Sequence, residues 1–374
     1  MGQLRGENAL IHSFVTNVYC AVAHSYKKRY ERINQMIELV LAFQDKDGQY
    51  AEHAGVVLAS VFHNTSSPVN VHILHDETLN EDNKRRLVEL ATRFNHTINF
   101  YHITIPQDML QVMAGVGSIN AWTQACMYRL LLPALIPVDK IIYLDCDVLV
   151  NMDLLELWQV ELGECYLGAI KDQGIMEVAH IISSKGLDPE LYFNSGVIVF
   201  ALNTIRSNVG WYEETLNFFR NFPDTTMPDQ DALNVVFGRN YLPLDLRFNS
   251  FSITSQDHDF TNKIVHFAGV EKCWDAGSLG SELYRNYLNL TPWSPDEPQQ
   301  PAEAAPSAHP AQAKKTNGKR KTASAKRLNL KRGVRRASRR KVLLKRSSRM
   351  KGRQTKISLI SLPSLRLIRQ ITKR

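Results

Sequence analysis

Cysteine is scarce in this 374-residue chain, and the five present (Cys20, Cys126, Cys146, Cys165, Cys273) are scattered and odd in number. No two form a C-x-x-C pair, which argues against a disulfide framework and a structural zinc site and favours a reducing compartment. Long apolar runs are missing as well: no stretch is long enough to span a bilayer. The opening MGQLRG lacks the Ser or Thr of a myristoylation signal. The segment ALIHSFVTNVYCAVAHS contains an Ala21-Val22-Ala23 triplet resembling a cleavage site. Glu7, however, lies in the charged region, and His12 and Asn17 interrupt the apolar one, so no signal peptide is read there. Acids all but vanish from residues 301–374, which hold 24 Lys+Arg and only Glu303, a net +23. Residues 1–300 carry 21 bases against 36 acids, a net −15. The chain reads as an acidic globule joined to a basic tail, and is expected to be cytoplasmic or peripheral at the inner face of the cell membrane.

What is present is alternation. Apolar runs at 37–43, 69–75, 98–103 and 140–144 read as strands, and residues 50–64 and 122–136 read as helices. Thr78 and Glu81 read as a capping box that starts a helix between the second and third strands. Such alternation predicts an α/β fold with a largely parallel sheet. Further strands are expected at 166–172, 192–202 and 264–269, in a second lobe. Residues 1–35 are expected to be an N-terminal extension, with Met36 directly before the first strand. The globular domain is expected over 36–290. Residues 291–374, rich in Pro and Ala and then in Lys and Arg, read as disordered, because they cannot bury enough apolar surface to offset ordering entropy.

The stretch KIIYLDCDVLVN sets Asp145 and Asp147 where a buried strand should finish. Strand side chains alternate faces, so the two carboxylates should converge and Cys146 turn away. Side by side they repel unless a positive charge sits between them. A D-x-D pair after an apolar strand suits an oxygen-liking divalent cation that also holds a diphosphate. Taken alone, it reads first as an aspartate capping a strand-end turn.

Four ordered blocks change that weighting: YLDCDVLVNMDLLELW, YFNSGVIVFALNTIR, MPDQDALNVVF and IVHFAGVEKCW. Together they resemble the family 8 glycosyltransferases, the retaining group that includes glycogenin and bacterial lipopolysaccharide galactosyl- and glucosyltransferases. The resemblance runs from about Ile37 to about Asn289. It implies a GT-A type fold, one Rossmann-like nucleotide-binding sheet with a smaller acceptor-side lobe, and transfer of glucose or galactose from UDP-hexose to a glycan or glycolipid hydroxyl. Asp145, Asp147 and His266 would ligate Mn2+ or Mg2+. Asp145, Cys146, Gly269 and Lys272 would contact the nucleotide, and Asp47 (or Asp45), Gln49 and Tyr50 its uracil end. Arg129, Asp172, Asn194, Ser195 and Asp231 would hold the sugar, and Gln230 and Asp229 would face the anomeric carbon. Asp229 or Asp231 could equally cap the helix ALNVVF. The family's Lys-Pro-Trp is Lys272-Cys273-Trp274 here, and losing the proline should loosen that loop.

Two rival readings stay open at this point: an inactive sugar-nucleotide-binding stress protein, or a polyanion binder acting through its tail. For the tail itself, peripheral attachment to an anionic membrane surface is preferred to no function at all. Nucleic acid comes third, since no aromatics interleave the basic residues. In liposome flotation at low salt, the full chain should float with anionic vesicles and a chain lacking residues 301–374 should not; equal flotation of the two would remove the tail from membrane attachment.

Overall fold

The runs Ile37–Ala42 (β1), Val69–His75 (β2), Thr97–His102 (β3) and Lys140–Leu144 (β4) pair in parallel, in the order β3-β2-β1-β4. The computed structural model describes residues 35–120, 122–251 and 259–295. Two further sheet members, β5 (Val148–Asn151) and β6 (Leu167–Lys171), precede the long central strand β7 (Phe193–Ala201). β7 lies antiparallel to β4 and to β6, and β8 (Tyr241–Pro243) pairs in parallel with β6. This extends the main sheet to seven strands, β3-β2-β1-β4-β7-β6-β8. A smaller sheet holds β5, β10 (Lys263–His266) and β9 (Ser250–Phe251) in the order β5-β10-β9.

Alternation along the central strands builds two cores, one on each face of the large sheet. Leu39, Leu41, Ile142, Leu144, Val197 and Val199 enter one apolar cluster. Their neighbours Val40, Ile141, Tyr143, Ile198 and Phe200 enter the other. Strands buried on both faces need apolar residues at successive positions, which is why these runs look continuous in the sequence. Of the later strands, β6, β7 and β8 join this same sheet, and β9 and β10 go to the smaller one. Among the described residues no helix is long and apolar enough to cross a membrane.

Local expectations fail where another group competes for the helix end. The helix before β3 covers Glu81–Arg93 and is capped by Asn80, whose side chain accepts from the Asn83 amide at 2.8 Å. Thr78 is instead engaged with Asp76, and Glu81 pairs with Lys84. The helix expected at 122–136 is a 3-10 helix over Gln124–Leu131, followed by one α-helical turn at Leu132–Leu135. Pro133 sits at the start of that turn, where its missing N–H costs nothing but ends the preceding ladder. The strand expected at 264–269 stops at His266. The short β5, β8 and β9 carry no separate signal in the sequence. The expectations for the N-terminal extension and the basic tail fall on residues 1–34 and 296–374, outside the described ones.

One glycine marks how the chain closes. Gly55 lies inside the helix Tyr50–Asn64, and a Cβ there would meet Trp293 Cζ3 at 2.6 Å. The Trp293 ring packs against the core, with the Arg86 guanidinium 5.7 Å from its centroid. In an exposed helix Gly→Ala stabilises by about 1 kcal/mol. Here Gly55→Ala should destabilise by about 1–3 kcal/mol through overpacking, and Trp293→Ala in the same chain should recover part of that loss, both read from urea midpoints.

Candidate active site

The aspartate pair does not lie on a strand. β4 ends at Leu144 and β5 starts at Val148, so Asp145-Cys146-Asp147 forms the turn between them. The carboxylates converge all the same, because both ends of the turn are tied down. The Asp145 amide donates to Gly196 O at 2.8 Å, and the Asp147 carbonyl accepts from the Phe267 amide at 3.0 Å. The first bond hooks the turn to β7 and the second to the end of β10. Cys146 turns into the core, as the alternation reading expects, and is not on the wall of the adjoining cavity, where a nucleotide contact is also expected of it; burial pushes its thiol pKa up. Asp145, Asp147 and His266 each bring one ligand atom into a group whose members all lie within 4.8 Å of one another.

Two cations already face these acids. Arg129, 6% exposed, donates to Asp145 Oδ1 at 2.7 Å and lies 3.3 Å from Asp229 Oδ2. It also donates to Ser195 O at 2.8 Å and stacks 4.3 Å from the Tyr143 ring centroid. The Tyr143 hydroxyl in turn donates to Asp145 Oδ1 at 2.8 Å. Lys272 Nζ donates to Asp147 Oδ2 at 2.6 Å and to Phe267 O at 3.0 Å. Burial raises the Asp147 pKa, but the Lys272 ammonium and His266 together outweigh it and hold the carboxyl well below its usual range. Burial likewise works against the Lys272 charge, and Asp147 more than restores it. Burial raises the Asp229 pKa despite Arg129. Removing one member of such a buried pair costs about 3–5 kcal/mol, because a bare charge is left behind.

Asp147 Oδ1 is different: it is buried and has no hydrogen-bond donor. It lies 3.3 Å from His266 Nε2. An orphaned carboxylate oxygen, an imidazole nitrogen and a second carboxylate form a donor set that fits Mn2+ or Mg2+. Gly196 makes room for it, since a methyl group there would overlap His266 Cε1 and Asp145 Oδ2.

The set opens into a cavity of about 370 Å³. Its floor is an amide network: Asp172 Oδ2 accepts from Asn194 Nδ2 and from Gln230 Nε2, both at 3.1 Å, and Gln230 Oε1 accepts from the Ser195 amide at 2.9 Å. Trp122, Ile175, Val178, Met227 and Phe251 supply an apolar flank. These five were not singled out in the sequence, where isolated apolar residues carry no signal of facing a cavity.

The profile of glycosyl transferase family 8 matches residues 39–277, which takes in all four sequence blocks. The chain belongs to glycosyl transferase family 8. Its similar relatives include general stress protein A of Bacillus subtilis, 28% identical over 66% of this chain and 92% of that protein. Another is the lipopolysaccharide 1,2-glucosyltransferase of Escherichia coli K12, 26% identical over 67% and 78%. In fold the chain resembles the galactosyltransferase LgtC, solved with donor and acceptor sugar analogs, at 23% identity, covering 70% of this chain and 98% of that one with a TM-score of 0.60. A GT-A type α/β fold around one large sheet is thereby shown.

Of the residues singled out in the sequence, Arg129, Asp145, Asp147, Asp172, Asn194, Ser195, Asp229, Gln230, His266, Gly269 and Lys272 line this family 8 cavity. Asp231 does not, which corrects its placement at the sugar. It is fully buried, accepts from Tyr192 Oη at 2.6 Å and Thr225 Oγ1 at 2.5 Å, and pairs with Lys185 at 3.0 Å. Neither Asp229 nor Asp231 caps a helix, because Pro228–Phe237 starts from Met227 with Pro228 in its first turn. In place of the family proline, Cys273 is 1% exposed and packs into the core.

The uracil-end residues are not on the cavity wall. Asp47 and Gln49 are exposed, whereas Asp45 is turned inward, accepting from the Ala51 amide at 3.0 Å and Asn83 Nδ2 at 2.7 Å. Tyr50 packs edge-on to His53 and Trp274, close enough to the aspartate turn that Cys146, Asp147 and Asp145 add to burial in raising its pKa. His53 stacks on Trp274 at 3.8 Å between centroids. Burial lowers the His53 pKa from 6.5 to about 4, against the opposing pull of Asp47 and Asp275. A histidine held neutral in this way contributes stability above pH 6.5 that is lost as pH falls through about 4. Denaturation midpoints should therefore show His53→Gln losing about 1–3 kcal/mol less than the parent between neutral pH and the lower end of that window.

Proposed function

We propose that the chain is a metal-dependent, retaining hexosyltransferase that moves glucose or galactose from UDP-hexose to an acceptor hydroxyl in cell-surface or lipopolysaccharide-like glycan synthesis. The single observation that carries this reading is the orphaned Asp147 Oδ1, 3.3 Å from His266 Nε2 in a carboxylate whose other oxygen takes the Lys272 ammonium, on the wall of a cavity lined by amides and carboxylates. The names of its relatives, a lipopolysaccharide glucosyltransferase among them, point to the same substrate class.

Asp145, Asp147 and His266 would hold Mn2+ or Mg2+, and the bound ion would clamp the donor diphosphate and neutralise charge on the leaving UDP. The chain's own residues do the rest. Lys272 is a point charge on a flexible stem beside the same site and is suited to a diphosphate oxygen. The loop from Gly269 to Lys272 closes over the cavity and excludes water that would hydrolyse the donor. Asp172, Asn194 and the Gln230 amide present acceptors and donors to hexose hydroxyls. Arg129 fixes Asp145 and Asp229 relative to each other.

Retention by double displacement needs a carboxylate nucleophile beneath the anomeric carbon. Gln230 is an amide, and its Oε1 already accepts from Ser195 N and Asn194 Nδ2. Asp229, the remaining carboxylate, has Oδ2 engaged by Arg129 and Ser195. Front-face substitution suits this arrangement better. The C1–O bond to UDP breaks as the acceptor oxygen bonds to C1 on the same face, and the acceptor proton passes to the departing phosphate oxygen. The Gln230 carbonyl faces the oxocarbenium-like centre.

Asp147→Asn should abolish Mn2+-dependent release of UDP from UDP-glucose or UDP-galactose at a temperature where circular dichroism shows the variant still folded, although leaving the Lys272 ammonium without its carboxylate should cost about 3–5 kcal/mol of stability. Full turnover by that variant with EDTA present would overturn the metal assignment.

A further inference from the structure

The Gly196 amide donates to Asn194 Oδ1 at 2.9 Å. A backbone N–H can only donate, so this bond fixes which end of the Asn194 side chain is oxygen. That same oxygen faces the Asn249 side chain at 2.9 Å, and only Nδ2 of Asn249 can donate to it. The other end of the Asn249 amide, Oδ1, then faces His266 Nδ1 at 2.9 Å. A carbonyl oxygen can only accept, so Nδ1 must carry a hydrogen. In a neutral imidazole the lone pair then sits on Nε2, the nitrogen that faces Asp147 Oδ1. In that neutral form two acceptors face each other across 3.3 Å with no hydrogen between them.

We infer that Asn249 is the positioning residue that holds His266 as the Nδ1–H tautomer and aims its Nε2 lone pair at the metal site, under instruction from the Gly196 amide through Asn194. The inference rests on the metal reading above for its purpose, though not for its geometry. Asn249 is built for the task. It is fully buried, it ends the 3-10 helix Leu246–Asn249, and its own carbonyl is held by Gln173 Nε2 at 2.8 Å. Phe251 stands edge-on to the imidazole at 5.3 Å, and Gly196 leaves no spare space on its Cε1 side. Asn194, which relays the instruction, also donates to Asp172 and Gln230. The sugar floor and the histidine ligand thus share one amide. Partners of this kind, acting behind a ligating histidine, are worth about 10–100-fold in metal affinity.

The test uses the full chain with 15N-labelled histidine, the His266 signals being assigned by their loss in His266→Gln. Long-range 1H–15N spectra of the metal-free parent at mildly alkaline pH should show a protonated Nδ1 and an unprotonated Nε2. Asn249→Ala should lose that fixed tautomer and bind Mn2+ about 10–100-fold more weakly by EPR titration, and Asn249→Asp, which keeps an acceptor at Nδ1, should retain the tautomer. An Nε2–H or doubly protonated ring in the parent would overturn the inference, and so would an Asn249→Ala chain that keeps both tautomer and Mn2+ affinity and loses only thermal stability. The parent spectrum needs no substitution, so the inference stands or falls even if Asn249→Ala does not fold. A parent with the expected tautomer that binds no Mn2+ would uphold the inference about Asn249 and overturn the metal reading alone.

Discussion

Carboxylates crowded into a largely buried pocket have to be neutralised, and the rest of this structure is arranged around that demand. Asp145, Asp147 and Asp229 meet at the carboxyl end of the central sheet. Arg129 satisfies Asp145 and Asp229, and Lys272 satisfies one oxygen of Asp147. The remaining oxygen has no donor. A buried carboxylate oxygen without a donor costs stability unless a cation reaches it, which is why the Asp145, Asp147 and His266 donor set reads as a binding site and not as an imperfection of packing.

The scaffold makes the crowding tolerable by separating support from chemistry. Two apolar clusters clamp the seven-stranded sheet from both faces and leave its strands no freedom to shift register. Several of the site's groups then leave a strand end, the aspartate turn after β4 and Asp172 after β6 on the large sheet and His266 at the end of β10 on the small one, while Arg129 and Asp229 come from helical segments. Asn194 and Ser195 open β7, the antiparallel strand that lies beside β4 and so starts where β4 ends. Ligand sites in open α/β sheets gather at such ends because the backbone there is free to turn.

Much of this was legible in the sequence. Strand runs at β1, β2, β4 and β7 announced themselves, since burial on both faces demands unbroken Val, Ile and Leu. The D-x-D pair and the blocks around Asn194, Gln230 and His266 pointed to residues that do share one cavity. The convergence of Asp145 and Asp147 was expected for a reason that proved incorrect, because a turn pinned at both ends achieves what strand alternation was thought to do. Asp231 was misplaced because a helical residue two positions from Asp229 faces elsewhere, here toward Lys185 and Tyr192. Asn249 could not be found at all: in LRFNS it is one polar residue in an unremarkable stretch. Its meaning comes from hydrogen bonds to Asn194 and His266, residues 55 and 17 positions away along the chain.

The central claim is that this deficit of positive charge is filled by a metal ion on Asp145, Asp147 and His266, and that Lys272 serves the same diphosphate. A crystal structure of the chain grown with Mn2+ and UDP, with data collected at a wavelength where manganese scatters anomalously, tests it most directly. The account predicts one strong anomalous peak bonded to both aspartates and to His266 Nε2, with a diphosphate oxygen completing it and Lys272 drawn from Asp147 to the diphosphate. A nucleotide bound with no anomalous peak at that position, or with manganese held by other side chains, would contradict it.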